Sequence, residues 1–121
     1  MRRFAKSDKV ADLLRHGISN ALLKEVEDER LRWISVTEVN VNRDLSVARV
    51  FFTVVSPRLD RKGAEAALEE NRKALKGYLA ANLRLRQLPE LRFQYDETAD
   101  SAQRIEDLLQ SLKPKEGGET P

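Results

Sequence analysis

The chain contains no cysteine. That excludes a disulfide framework, a thiol nucleophile and a zinc knuckle built on thiolates, and it fits a reducing compartment. His16 is the only histidine. Metal and acid-base sites need several convergent ligands or a paired base, so a lone histidine on a helix reads as a surface residue. Long apolar runs are also missing, and nothing approaches the ~20 residues of a membrane span. The start, Met1-Arg2-Arg3-Phe4-Ala5-Lys6, is basic, but no apolar stretch follows that could form a signal-peptide core. There is no nucleotide-binding glycine loop and no nucleophile set beside a base. The expectation is a soluble cytoplasmic protein that is not an enzyme, with no catalytic residue, no metal, no cofactor and no membrane partner.

What the chain does have is charge. Charged residues make up 35% of its 121 residues, yet the net charge is only +2, so distribution matters more than the sum. From Asn71 to Pro89 there is no acidic residue, while Arg72, Lys73, Lys76, Arg84 and Arg86 fall in that stretch. Glu65, Glu69 and Glu70 lie just upstream, and Glu25, Glu27, Asp28 and Glu29 form a second acidic group. The molecule is therefore expected to be polarised. Taken alone, the basic stretch reads equally well as a solvated helix face.

Periodicity places the elements. Ser7 is a candidate N-cap with Asp8 in the first turn, and Val10, Leu13, Leu14, Ile18, Ala21, Leu22 and Val26 follow at helical spacing. Gly17 within this helix offers close approach to another element. Asp28-Glu29-Arg30-Leu31 reads as a loop. A strand from Ile34 to Asn42 changes phase between Val36 and Val39, which predicts a β-bulge with one unpaired residue near Thr37 or Glu38. Asn42-Arg43-Asp44 supplies a turn, with Asp44 bonding local amides. In the next strand, about Val47 to Val55, Ala48, Val50, Phe52 and Val54 face the core, and Arg49, Phe51 and Thr53 face outward. Phe51 either stacks on bases or packs under the tail or a nearby loop. Pro57 breaks the ladder.

From Lys62 the pattern is helical again, through Leu83. Unbroken to Arg86, that helix would be about 37 Å long, so a bend is expected between Glu69 and Gly77. Leu91, Phe93 and Tyr95 alternate with polar residues in a short strand, and Trp33 and Tyr95 finish the core edge. Asp100 caps a last helix with Ile105, Leu108, Leu109 and Leu112 on its apolar face. Residues 113–121 have nothing to bury and read as a disordered tail after a single domain, 6–112. The expected class is α+β, in the order α-β-β-α-α-β-α, with helices on one face of three strands.

That order is the one of type II KH domains, an RNA-binding class. The wording is more specific. Val36-Thr37-x-Val39 leading to Asn42-Arg43-Asp44-Leu45-x-x-Ala48-x-Val50 resembles the strand-turn-strand signature of the ribosome-binding factor A family. Leu83-Arg84-Leu85-Arg86-Gln87-Leu88-Pro89-Glu90-Leu91-Arg92-Phe93-Gln94-Tyr95-Asp96 is similar to that family's run into its third strand. Lys9-Val10-Ala11 and Ile105-x-x-Leu108-Leu109 resemble further pieces, and Asp28-Glu29-Arg30-Leu31 is similar to the family's acid-Pro-Arg-Leu loop with Glu29 where proline is usual, so the resemblance spans about Lys6 to Leu112. One departure stands out. The family's Ala-x-Gly kink falls, counted without gaps, on Asn71-Arg72-Lys73, where both small residues are missing. Gly77 is the alternative place for a bend.

The resemblance implies a non-enzymatic assembly factor, a monomer. It would bind the small ribosomal subunit and its 16S rRNA, with ribosomal proteins or other assembly factors as further contacts. Its role would lie in late maturation and 16S rRNA processing. The rRNA-facing set is then Arg72, Lys73, Lys76, Arg84 and Arg86, and Arg2, Arg3, Lys6 and Lys9 are either a basic arm or an ordinary charged terminus. A general KH-like RNA chaperone and a protein-interaction module stay open beside this reading.

Overall fold

In the computed structural model, residues 6–98 are described. Helix α1, Lys6–Asn20, starts the chain and runs into a π-helical turn, Ala21–Glu25. Ser7 is not its cap: Lys6 is already helical, and serine is tolerated inside a first turn. Val10, Leu14 and Ile18 are buried as their spacing predicts, whereas Leu13, expected on the same face, is 46% exposed. A 3₁₀ turn, Glu29–Trp33, then leads into strands β1, Ile34–Val41, and β2, Val47–Val54. Helices α2, Arg61–Glu70, and α3, Arg72–Asn82, follow, and strand β3, Glu90–Tyr95, completes the sheet.

The strand order is β1-β2-β3, with β1 antiparallel and β3 parallel to β2. The return to a parallel strand requires a helical crossover, which α2 and α3 supply. Along β2, Ala48, Val50 and Phe52 are buried, while Arg49 is exposed and Phe51 and Thr53 are half-buried on the opposite face. The helices therefore cover one face of an α+β, KH-like sheet. Glu97 and Thr98 are already helical, so the helix expected to be capped by Asp100 begins earlier than that; the residues from 99 onward, with the expected tail, lie outside the described residues.

The bulge is where the phase change puts it. Val36 pairs with Phe52 and Glu38 with Phe51, so Thr37 has no partner in the ladder. The inserted residue brings Val39 back to the core, where it is buried. Thr37 instead donates through its hydroxyl to Asp96 at 2.5 Å. In the β1–β2 turn, Asp44 accepts from the Ser46 amide at 3.1 Å, as its turn chemistry predicts. Asn42 accepts from the amides of Ser46 and Val47, both at 2.9 Å. Leu45 carries a φ of 64°, uncommon for a bulky residue, and its side chain packs on the core.

Gly17 marks the crossing of α1 and α3. A Cβ there would lie 2.9 Å from Leu79 Cδ2. Asn20 donates to the Tyr78 hydroxyl at 2.8 Å, a second tie between the two helices.

Candidate nucleic-acid interface

The basic stretch starts at the junction of α2 and α3. The bend predicted there falls at Asn71, which has φ −104° and ψ 9°. Because that φ is negative, the backbone needs no glycine. The Asn71 side chain does the capping: Nδ2 donates to the Ala67 carbonyl at 2.8 Å and to Asp28 Oδ2 at 2.8 Å. It thereby satisfies a helix-end acceptor and anchors the junction to the 3₁₀ turn. Gly77, the alternative bend site, lies inside α3 and makes no break.

Asp28 is the hub of this anchor. It accepts from the Arg30 amide at 3.0 Å, from Arg30 Nε at 3.1 Å and from Arg30 Nη2 at 2.7 Å. Arg30 also donates to Glu70, at the end of α2, at 2.7 Å. The hydrogen bonds from Arg30, with a smaller one from Asn71, hold the Asp28 carboxyl well below the usual carboxylate range, while partial burial works the other way. A depressed carboxyl pKa contributes stability that is present above the ordinary value, 3.8, and is lost as pH falls below it. Asp28→Asn should thus be less stable than the parent at neutral pH, with the gap closing as pH drops below about 4. Thermal unfolding across a pH series measures this, and a gap that stays constant would show that Asp28 is not the titrating anchor.

The predicted basic residues divide by what they touch. Arg72 turns inward. It pairs with Glu69, with Nη2–Oε2 at 2.6 Å, donates to the Leu91 carbonyl and lies 5.2 Å from the centroid of the Phe93 ring. The hydrogen bond to Glu69 raises its pKa and lowers that of Glu69. Arg61, which the sequence did not single out, does the same at the start of α2, 4.7 Å over the Tyr95 ring. These two arginines fasten the helices to β3, and nothing in local spacing marks them for it.

Lys73 and Lys76 are exposed and line an open cleft of about 790 Å³ together with Glu69, Glu70, Arg72, Gly77, Ala80 and Leu88. Beyond α3, Leu83 and Leu85 are half-buried against the core while Arg84 and Arg86 alternate with them into solvent. This connection leads to Leu88, the far wall of the cleft. The four outward cations thus lie on one continuous stretch of chain, and none of them has an ion-pair partner among the described residues. Lys6 and Lys9 are exposed at the far end of α1, about 12 Å or more along the helix from the Gly17 crossing. Arg2 and Arg3 lie outside the described residues. Among those residues, no helix is long and apolar enough to cross a membrane.

Comparison with known proteins identifies the family. The family model of ribosome-binding factor A matches residues 6–109. The chain is 37% identical over 114 residues to ribosome-binding factor A of Carboxydothermus hydrogenoformans, covering 94% of this chain and 90% of that protein. It is 36% identical over 107 residues to that of Trichlorobacter lovleyi, covering 88% and 87%. The crystal structure of ribosome-binding factor A from Thermus thermophilus superposes with a TM-score of 0.64 at 27% identity, over 74% of this chain and 94% of that one. A Thermus thermophilus ribosome-binding factor A model, fitted into a cryo-EM map of its 30S complex, gives a TM-score of 0.58 at 28% identity, over 69% and 88%. With a family model matched over most of its length and relatives this similar across nearly the whole domain, the chain belongs to the ribosome-binding factor A family.

Proposed function

We propose that this chain is a non-enzymatic assembly factor that binds the small ribosomal subunit through 16S rRNA and assists its late maturation and rRNA processing. The observation that carries the reading is the run Lys73, Lys76, Arg84 and Arg86. These cations are exposed, share one stretch of chain and have no acidic partner among the described residues. Cations in that state neutralise phosphates at little cost, because no internal ion pair must first be broken. Arginine adds a planar fork that grips phosphate or stacks on a base. The Thermus relative fitted into a 30S complex supports the choice of partner. Arg72 serves here by holding α3 against β3, so that Lys73 and Lys76 face outward. Lys6 and Lys9, with Arg2 and Arg3, form a second, separate contact at the start of α1.

The test is co-sedimentation of the chain with purified small subunits across a salt series, with an unrelated structured RNA as competitor. Association should weaken steeply with salt and survive the competitor. Complete displacement by the competitor would replace this reading by a general RNA chaperone. Association that does not respond to salt would replace it by a protein-interaction module.

A further inference from the structure

The face of the sheet turned away from the helices carries a pattern of its own. Asn40, Arg49 and Arg92 stand in one row across β1, β2 and β3, and Glu38, Phe51 and Gln94 stand in the next. Arg49 and Arg92 are therefore direct neighbours, on strands about 4.8 Å apart. Like charges set opposite each other across a sheet cost stability. Little in the protein offsets that cost. Arg92 has Glu90, on its own strand, at 3.3 Å, but both side chains of that pair are more than half exposed. Arg49 is exposed and makes no ion pair among the described residues, although Glu38 lies one row away.

The composition of this face decides what it can receive. Among these side chains Phe51 alone is apolar, and it is half-buried, while the others are polar and exposed. A protein partner or a further helix needs an apolar centre to bury, and this face offers too little of one. Interfaces with nucleic acid are polar and rich in positive charge. A phosphate set between Arg49 and Arg92 turns their repulsion into charge-assisted hydrogen bonds. Asn40 and Gln94 flank that position with further amide donors. The face lies on the other side of the domain from Lys73 and Lys76, which belong to α3 in the helical layer.

We infer that the open sheet face is a second RNA-backbone contact, centred on Arg49 and Arg92, and that the domain bridges two separate segments of RNA, one on each side. The inference rests on the proposed rRNA-binding role and extends it. A domain with one contact holds a segment of RNA, whereas a domain with contacts on opposite faces also fixes the distance between two segments.

The experiment uses the full chain and two short RNA hairpins, one carrying a donor dye and the other an acceptor. The parent should bring the two together and produce energy transfer, which a large excess of protein should abolish by giving each hairpin its own copy. An Arg49→Gln, Arg92→Gln double variant should still bind one hairpin but lose the transfer. Its salt slope for small-subunit association should shrink by roughly one and a half units, at about 0.7–0.9 per phosphate lost. Its urea midpoint should not fall, because the substitutions are exposed and remove a repulsion. Transfer equal to the parent's, an unchanged salt slope, or a lowered midpoint overturns the inference. Weaker association at an unchanged slope would assign the face to a protein partner and overturns it as well. The parent itself separates the two readings. If it gives no transfer, yet binds a single hairpin in a salt-dependent way that replacing Lys73, Lys76, Arg84 and Arg86 by glutamine abolishes, bridging falls and the rRNA reading stands. If it binds neither hairpins nor small subunits, both fall.

Discussion

Replacing Lys73, Lys76, Arg84 and Arg86 together by glutamine is expected to abolish most of the association with small subunits while leaving the fold intact. Each of these side chains is exposed and makes no ion pair among the described residues, so its removal breaks nothing internal. Glutamine keeps good helix propensity at the two positions in α3. Exposed substitutions of this kind usually change stability by no more than ~0.5 kcal/mol. If each cation meets one phosphate, losing four contacts should reduce the salt slope of log affinity by about three units, at about 0.7–0.9 per phosphate. Arg72→Gln should behave differently. It removes the pair with Glu69, the bond to the Leu91 carbonyl and the cation over Phe93. A loss of about 1 kcal/mol in stability follows from the part-buried bond to the carbonyl, with little from the exposed glutamate. Co-sedimentation across salt, with urea denaturation of each variant, reads both effects. An unchanged slope in the folded quadruple variant would move the RNA contact to the arm at the start of α1.

Phe52→Ala should have the largest effect on stability. Phe52 is 1% exposed and lies in the central strand, paired with Val36 on one side and Tyr95 on the other. Its ring meets that of Tyr95 edge-on at 5.7 Å. Truncating such a residue leaves a cavity that rigid neighbours fill poorly, at a cost of about 3–5 kcal/mol. Against a total of roughly 5–15 kcal/mol for a native protein, much of the reserve would go. The urea midpoint should fall with little change in the denaturant slope. Phe51→Ala, one residue earlier on the opposite and half-buried face, should cost clearly less. Equal losses at the two positions would mean that the core face of β2 is misread. Where Phe52→Ala remains folded, its salt slope for subunit association should match the parent, because it removes no charge.

The elements were legible because each has its own period. Val10, Leu14 and Ile18 announce a helix by recurring every turn, and Ala48, Val50 and Phe52 announce a strand by alternating. The bulge was legible for the same reason, since a one-residue phase slip has only one local remedy. The kink was half legible. Length argued for a bend, but its agent could be found only in three dimensions, because Asn71 acts on Asp28, 43 residues away in the chain.

By itself, then, the sequence determined the order of the helices and strands among the described residues, most of the core face of each, the place of the bulge and the stretch of chain that carries the positive charge. These properties depend on neighbours within a few residues, and such neighbours are written next to one another. Tertiary structure alone decided which cations are available. Arg72 and Lys73 are adjacent and of the same sign, yet one is held by Glu69, Leu91 and Phe93 while the other is exposed with no ion-pair partner among the described residues. The difference arises because β3 returns beside α3 after a crossover, and a helix turns successive residues about 100° apart. That rotation sends one charge into the protein and leaves the next one to solvent.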